Sequence, residues 1–210
     1  MKVKIEVLGL IMGWFAIITQ FILMIENRQT DILETVFRFF SFFTILTNIL
    51  VVLFFTATAL KLSGSIFKIF SAKGTITAIT AFILIVGLVY QFVLRKIWTP
   101  TGLQFVADEL LHSVIPLFML GYWFFYFKAN DLLIKPLIAW LIYPFTYVTL
   151  IIIRGYFSGY YPYPFLNIED LGFTKVLFNV IVIFALIIAI LSLLTIFGKY
   201  FIKTASANRN

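Results

Sequence analysis

The chain has 210 residues, 62% hydrophobic and 12% charged, with a mean hydropathy of +1.07, whereas a water-soluble domain runs nearer half apolar and a quarter charged. Its 26 Phe are accompanied by no Cys, which excludes disulfides, Cys-ligated zinc, iron–sulfur clusters and a cysteine nucleophile. The net charge of +7 is scattered between apolar runs rather than gathered into a patch, the pattern of an orientation signal and not of a nucleic-acid-binding face.

Uncharged apolar runs occupy about 7–25, 39–60, 74–94, 110–127, 136–153 and 176–198. A span needs roughly 20 apolar residues, so these runs predict an all-α, polytopic transmembrane bundle of six spans, with residues 1–210 forming a single integral membrane domain. Membrane strands would alternate apolar and polar residues, and these runs are apolar throughout. The first run follows Lys2 and Lys4 like a signal peptide, but it is too long for a signal core and ends at Glu26-Asn27-Arg28 without a small-x-small cleavage site, so it reads as a retained helix.

Six spans place both termini on one side. That side carries Lys2, Lys4, Lys61, Lys68, Lys73, Lys128, Lys135, Lys199, Lys203 and Arg209, ten bases against the six of Arg28, Arg38, Arg95, Lys96, Arg154 and Lys175. The positive-inside rule then predicts cytoplasmic termini in a multi-pass membrane protein, in the plasma membrane if the source is bacterial.

Polar groups inside a span are costly and mark where chemistry is to be sought. In the second run Ser41, Thr44, Thr47 and Asn48 fall at offsets of three, six and seven from the first, which places them on one helical face pointing into the bundle. They serve either as packing glue between helices or as a reactive stripe. The only histidine, His112, opens the fourth run in Asp108-Glu109-Leu110-Leu111-His112-Ser113-Val114-Ile115-Pro116. Asp108 and Glu109 lie four and three residues before it, where a carboxylate orients the imidazole and stabilises its protonated form. Pro116 lacks the amide hydrogen that would bond the His112 carbonyl, leaving that carbonyl for water, a side chain or substrate.

A histidine base can activate a threonine hydroxyl within about 3 Å of it. Helix rise puts Thr47 roughly 12–16 Å into its span and His112 roughly 3–8 Å into its own, with Thr44 a turn shallower and nearer the histidine's level. Arg154 ends the fifth run, where it either grips a carboxylate or phosphate or anchors the helix in headgroups. The same run carries Tyr143-Pro144, and Pro144 is expected to kink it. Beyond it, Gly155 to Gly172 combines turn formers with tyrosines, reading either as an interfacial aromatic belt or as a lid over a cavity. One His and no Cys give no metal set, Gly-rich phosphate loops and the Gly-x-Ser-x-Gly elbow are absent, and no cofactor is expected. No span has an acid near its centre, which weighs against a coupled transporter.

Three segments in order, Thr44-Ile45-Leu46-Thr47-Asn48, His112-Ser113-Val114-Ile115-Pro116-Leu117-Phe118 and Tyr163-Pro164-Phe165-Leu166, resemble the androgen-induced protein family and its bacterial Pr-six-Pr relatives. Animal members are multispan threonine hydrolases that cleave fatty acid esters of hydroxy fatty acids through an intramembrane threonine and histidine. The resemblance implies Thr47 as nucleophile and His112 as base, supported by Thr44, Asn48, Asp108 and Glu109, with Arg154 and Tyr163 meeting a membrane lipid or lipid-like substrate. Asn48 would then donate to the developing oxyanion. A non-catalytic membrane protein binding lipid or a partner helix is the second reading, and a transporter the third.

Overall fold

The computed structural model describes residues 1–207; Arg209, counted in the charge tally, lies outside them. Those residues form an all-helical bundle: α1 (Lys2–Glu26), α2 (Ile32–Ser41), α3 (Phe43–Ala59), α4 (Thr75–Phe92), α5 (Gly102–Glu109), α6 (Ile115–Tyr126), α7 (Ile134–Trp140), α8 (Ile142–Ser158), the single turn α9 (Ile168–Leu171) and α10 (Phe173–Ala207). Five helical stretches are long and apolar enough to cross a membrane, with α5–α6 and α7–α8 each counting as one stretch. The pair α2–α3 meets the same test only together and is bent by 73°, which makes it a broken span or a re-entrant element. Among the described residues there are thus five helices able to span a membrane, or six if the bent pair counts as one span.

The core is built around α4. Ala78, Ile79, Ala81, Phe82 and Ile83 have no exposed surface, and they pack with Val51, Val52 and Phe55 of α3 and Ile115, Met119 and Trp123 of α6. Without water between helices, association depends on close packing and on satisfied polar groups. The tightest approach joins α1 to α3 through Gly9 and Gly13, four residues apart. A Cβ at Gly13 would come within 2.8 Å of Val52 Cγ2, and one at Gly9 within 2.7 Å of the Phe55 ring. Nearby, Trp14 Nε1 donates to Thr56 Oγ1 at 3.2 Å, and Trp123 Nε1 donates to Thr77 Oγ1 at 2.9 Å, so the indoles are satisfied inside the bundle. At the margin, α10 buries Ile187, Leu191 and Leu194 along one stripe and leaves Phe178, Ile188 and Ile196 exposed, the surface a lipid-facing helix presents.

The start of α1 and the last turns of α10 pack on the end of α6. Lys2 Nζ lies 5.4 Å from the centre of the Tyr126 ring, and Phe124 meets Phe201 edge-on at 5.0 Å. This is the terminal end of the bundle; the opposite end holds the break at Phe42 and the irregular turn Leu110–Val114. The run read as one helix from 39 is divided at Phe42, whose backbone is extended (φ −81°, ψ 124°). That corrects the single polar stripe, because Ser41 belongs to α2 and only Thr44, Thr47 and Asn48 belong to α3. Residues 26–38, expected as a connection, include most of α2, which is capped by the Asp31 carboxylate accepting from Glu34 N at 3.0 Å. The proline in the fifth run coincides with an interruption at Leu141, three residues ahead of Pro144, and the chain then continues as α8 until left-handed Gly159 (φ 67°) ends it.

Candidate functional site

The division at Phe42 leaves the first amides of α3 without partners in their own helix. Two tyrosines from the other side of the bundle supply them. Tyr147 of α8 accepts from Phe43 N at 3.2 Å while donating to Ser41 O at 2.9 Å, bridging the break. Tyr163, in the connection after α8, accepts from Thr44 N at 3.2 Å and shares a hydrogen bond with Thr44 Oγ1 at 3.3 Å. One helical turn further, Thr47 Oγ1 pairs with Tyr143 Oη at 2.9 Å. Three phenols thus line up along the start of α3.

His112 sits in a π turn, Leu110–Val114, inserted between α5 and α6. Such turns are rare and recur at functional sites. Its carbonyl faces Gly87 of α4, where an added Cβ would lie 3.0 Å from the oxygen; the carbonyl freed by Pro116 is therefore covered by a close helix approach. The ring stacks on Tyr90 with centres 4.0 Å apart. His112 Nδ1 is 2.9 Å from Asp108 O, and since a carbonyl only accepts, Nδ1 carries the proton and Nε2 of the neutral ring holds the lone pair. The main chain of Asp108, not a carboxylate, orients the imidazole. Asp108 Oδ2 accepts from Trp98 Nε1 and its Oδ1 from Gln104 Nε2 at 3.0 Å, while Glu109 takes Arg95 and the Ser113 hydroxyl.

A cavity of about 480 Å³ opens between these elements, within the range of small-molecule sites. Its wall comprises Gln20, Leu23 and Met24 of α1, Thr35, Arg38 and Phe39 of α2, Thr44 and Ile45 of α3, Tyr90 of α4, Trp98, Asp108, His112 and Tyr163. A smaller, almost wholly apolar cavity of about 60 Å³ shares Thr44, Leu94 and Tyr163 with it and continues along Tyr147, Ile183 and Ile187. Thr44 and His112 therefore face the same space. Thr47 lines neither cavity, is fully buried, and has its hydroxyl on Tyr143. The amide of Asn48 donates to Thr44 O at 2.8 Å and to Leu111 O at 3.2 Å, so both its protons are spent, and its buried Oδ1 has no partner.

Arg154 does not reach into the cavity. It binds Glu34 Oε1 at 2.8 Å, the same oxygen that accepts from Arg38 Nε at 2.8 Å, and both guanidiniums lie over the Tyr160 ring, at 5.0 and 4.2 Å. This cluster ties α2 to the end of α8, and with Arg38, Tyr160, Pro162 and Tyr163 it roofs the cavity. Burial raises the phenols of Tyr160 and Tyr163 above their ordinary range, so both remain neutral.

Tyr90, Trp98, Gln20 and Gln104 are cavity residues that the sequence reading passed over. Gln20 was legible in principle, since a lone amide inside an otherwise apolar run needs a polar partner, and it has one in Gln104 at 2.7 Å. Comparison of the chain with protein-family models, with characterised proteins and with solved structures found no match.

Proposed function

We propose that this membrane protein is an intramembrane lipid-ester hydrolase of six spans with cytoplasmic termini, acting in the cavity that holds His112. The single observation carrying this reading is the imidazole itself: Nδ1 is tied to Asp108 O, which leaves Nε2 as the base, in a cavity whose wall also holds a threonine hydroxyl. An apolar cavity open to the bundle suits an acyl chain, and the ester would sit where polar and apolar walls meet. The nucleophile this geometry favours is Thr44; the family resemblance favours Thr47, one turn deeper beside Tyr143. In either case the hydroxyl adds to the ester carbonyl as His112 takes its proton. The alcohol then leaves with that proton, and water, activated by the same base, hydrolyses the acyl-threonine.

The test is in-gel labelling of the purified protein with a fluorophosphonate, comparing wild type with Thr44→Ala, Thr47→Ala and His112→Ala. Label lost in Thr44→Ala and His112→Ala supports the reading as stated; label lost in Thr47→Ala instead moves the nucleophile a turn deeper. A folded wild type that takes no label favours a non-catalytic lipid-binding protein. That second reading has an observation of its own, since both threonine hydroxyls already pair with tyrosines and Asn48 has no proton left for an oxyanion.

A further inference from the structure

The cavity contains a charge that the proposed chemistry does not use. Three of the chain's shielded carboxylates have cations beside them: Glu6 has Lys2 at 3.7 Å, Glu34 has two arginines at 2.8 Å, and Glu109 has Arg95. Asp108 is as buried as Glu6, at 5% against 3% exposed, yet among the described residues no cation lies within salt-bridge range of it. Both its oxygens accept N–H groups, from Trp98 and Gln104, which is how an ionised carboxylate is held. Two neutral donors position that charge without neutralising it. Arg38 faces the same cavity but is committed to Glu34. Arg28 lines it too, with its guanidinium bonded to Ile25 O and outside salt-bridge range of Asp108.

An uncompensated carboxylate in the wall of a membrane-embedded cavity is expensive unless something brings the opposite charge. An inorganic ion fits poorly, because among the described residues no three metal-ligating side chains come together and much of the surrounding wall is apolar. We propose that the cavity binds an amphiphile whose polar end is cationic, a protonated amine or quaternary ammonium seated against Asp108, with its alkyl part along Leu23, Met24 and Leu111. The inference rests on the reading of the cavity as an amphiphile site, and it names the class of amphiphile; it requires no turnover.

The experiment titrates purified wild type in nonionic detergent with three probes of equal chain length, an alkyl trimethylammonium, an alkyl carboxylate and a neutral alcohol, below their micelle-forming concentrations, reading binding by calorimetry. The ammonium should bind about tenfold tighter than the alcohol, the size of one modest charge interaction. Asp108→Asn should abolish that preference while binding of the alcohol persists. Arg95→Gln, at an exposed position, removes the counter-ion of Glu109 and should tighten ammonium binding severalfold, which keeps the test decisive should Asp108→Asn fold poorly. Equal binding of all three probes overturns the charge inference and leaves the amphiphile site standing, whereas folded protein that binds none of them overturns both. Stronger competition by sodium chloride than by tetramethylammonium chloride, at equal ionic strength, would assign the carboxylate to a free inorganic cation and also sink the proposal.

Discussion

The two ends of the bundle are made from similar residues and behave differently. At the terminal end and through the centre, α1, α3, α4 and α6 are unbroken, glycines bring backbones together, and side chains such as Val52, Phe82 and Met119 have no exposed surface. At the other end the backbone departs from α geometry at Phe42, at Leu110–Val114 and between Ser158 and Asn167, and there a cavity of about 480 Å³ forms. Irregular backbone survives at membrane depth only where protein buries it or a cavity receives it. The lesson is that apolar composition decides membrane residence for both ends alike, while helix interruptions decide where a small molecule can be held.

The sharpest test of this division is topological and all-or-none. In a chain without cysteine, Ser158→Cys at the cavity end should react with an impermeant thiol reagent applied from outside, and Ser65→Cys at the terminal end should not; the reverse pattern would invert the orientation. Next in size is a filled contact in the tight half. Gly13→Leu drives a side chain into Val52, and overpacking of this kind costs about 1–3 kcal/mol, to be read as a lowered unfolding midpoint in detergent. Less is expected at the cavity end from Tyr163→Phe, which removes the phenol from Thr44 N. It should cost about 1 kcal/mol and speed hydrogen exchange at the Thr44 amide, while exchange within α4 stays unchanged. Smallest is Arg154→Gln. The ion pair it breaks with Glu34 is partly exposed, so about 0.2–1 kcal/mol is at stake, diminishing in high salt; an effect as large as that of Gly13→Leu would mean that the roof, not the core, carries the fold.

Much of the fold was legible because spanning helices announce themselves by length and hydropathy. The break at Phe42 was not, for no proline or glycine stands there; the signal is three-dimensional, two tyrosines from distant sequence whose hydroxyls make an interrupted ladder affordable. His112 stood out as the lone histidine, and Pro116 hinted at an irregular turn, but pairing by offset suggested a carboxylate partner where the π turn delivers the carbonyl of Asp108. Arg154 looked available from its place at a helix end, and only the arrival of α2 beside it shows that Glu34 already occupies it. The hydroxyl stripe was read as one surface, and in space its members part: Ser41 bonds within α2, Thr44 faces the cavity, and Thr47 faces α8.

The π turn also acts as a phase shifter between α5 and α6. Each residue of an α-helix advances the azimuth by about 100°, and a π turn absorbs one residue more than an α turn over the same stretch. Winding the same residues as ordinary α-helix, with none removed, would rotate everything after them by about that angle. Met119, Tyr122 and Trp123, now buried against α3 and α4, would swing away from the core together. The geometry at one imidazole and the packing of the twelve-residue helix beyond it are therefore set by the same surplus residue.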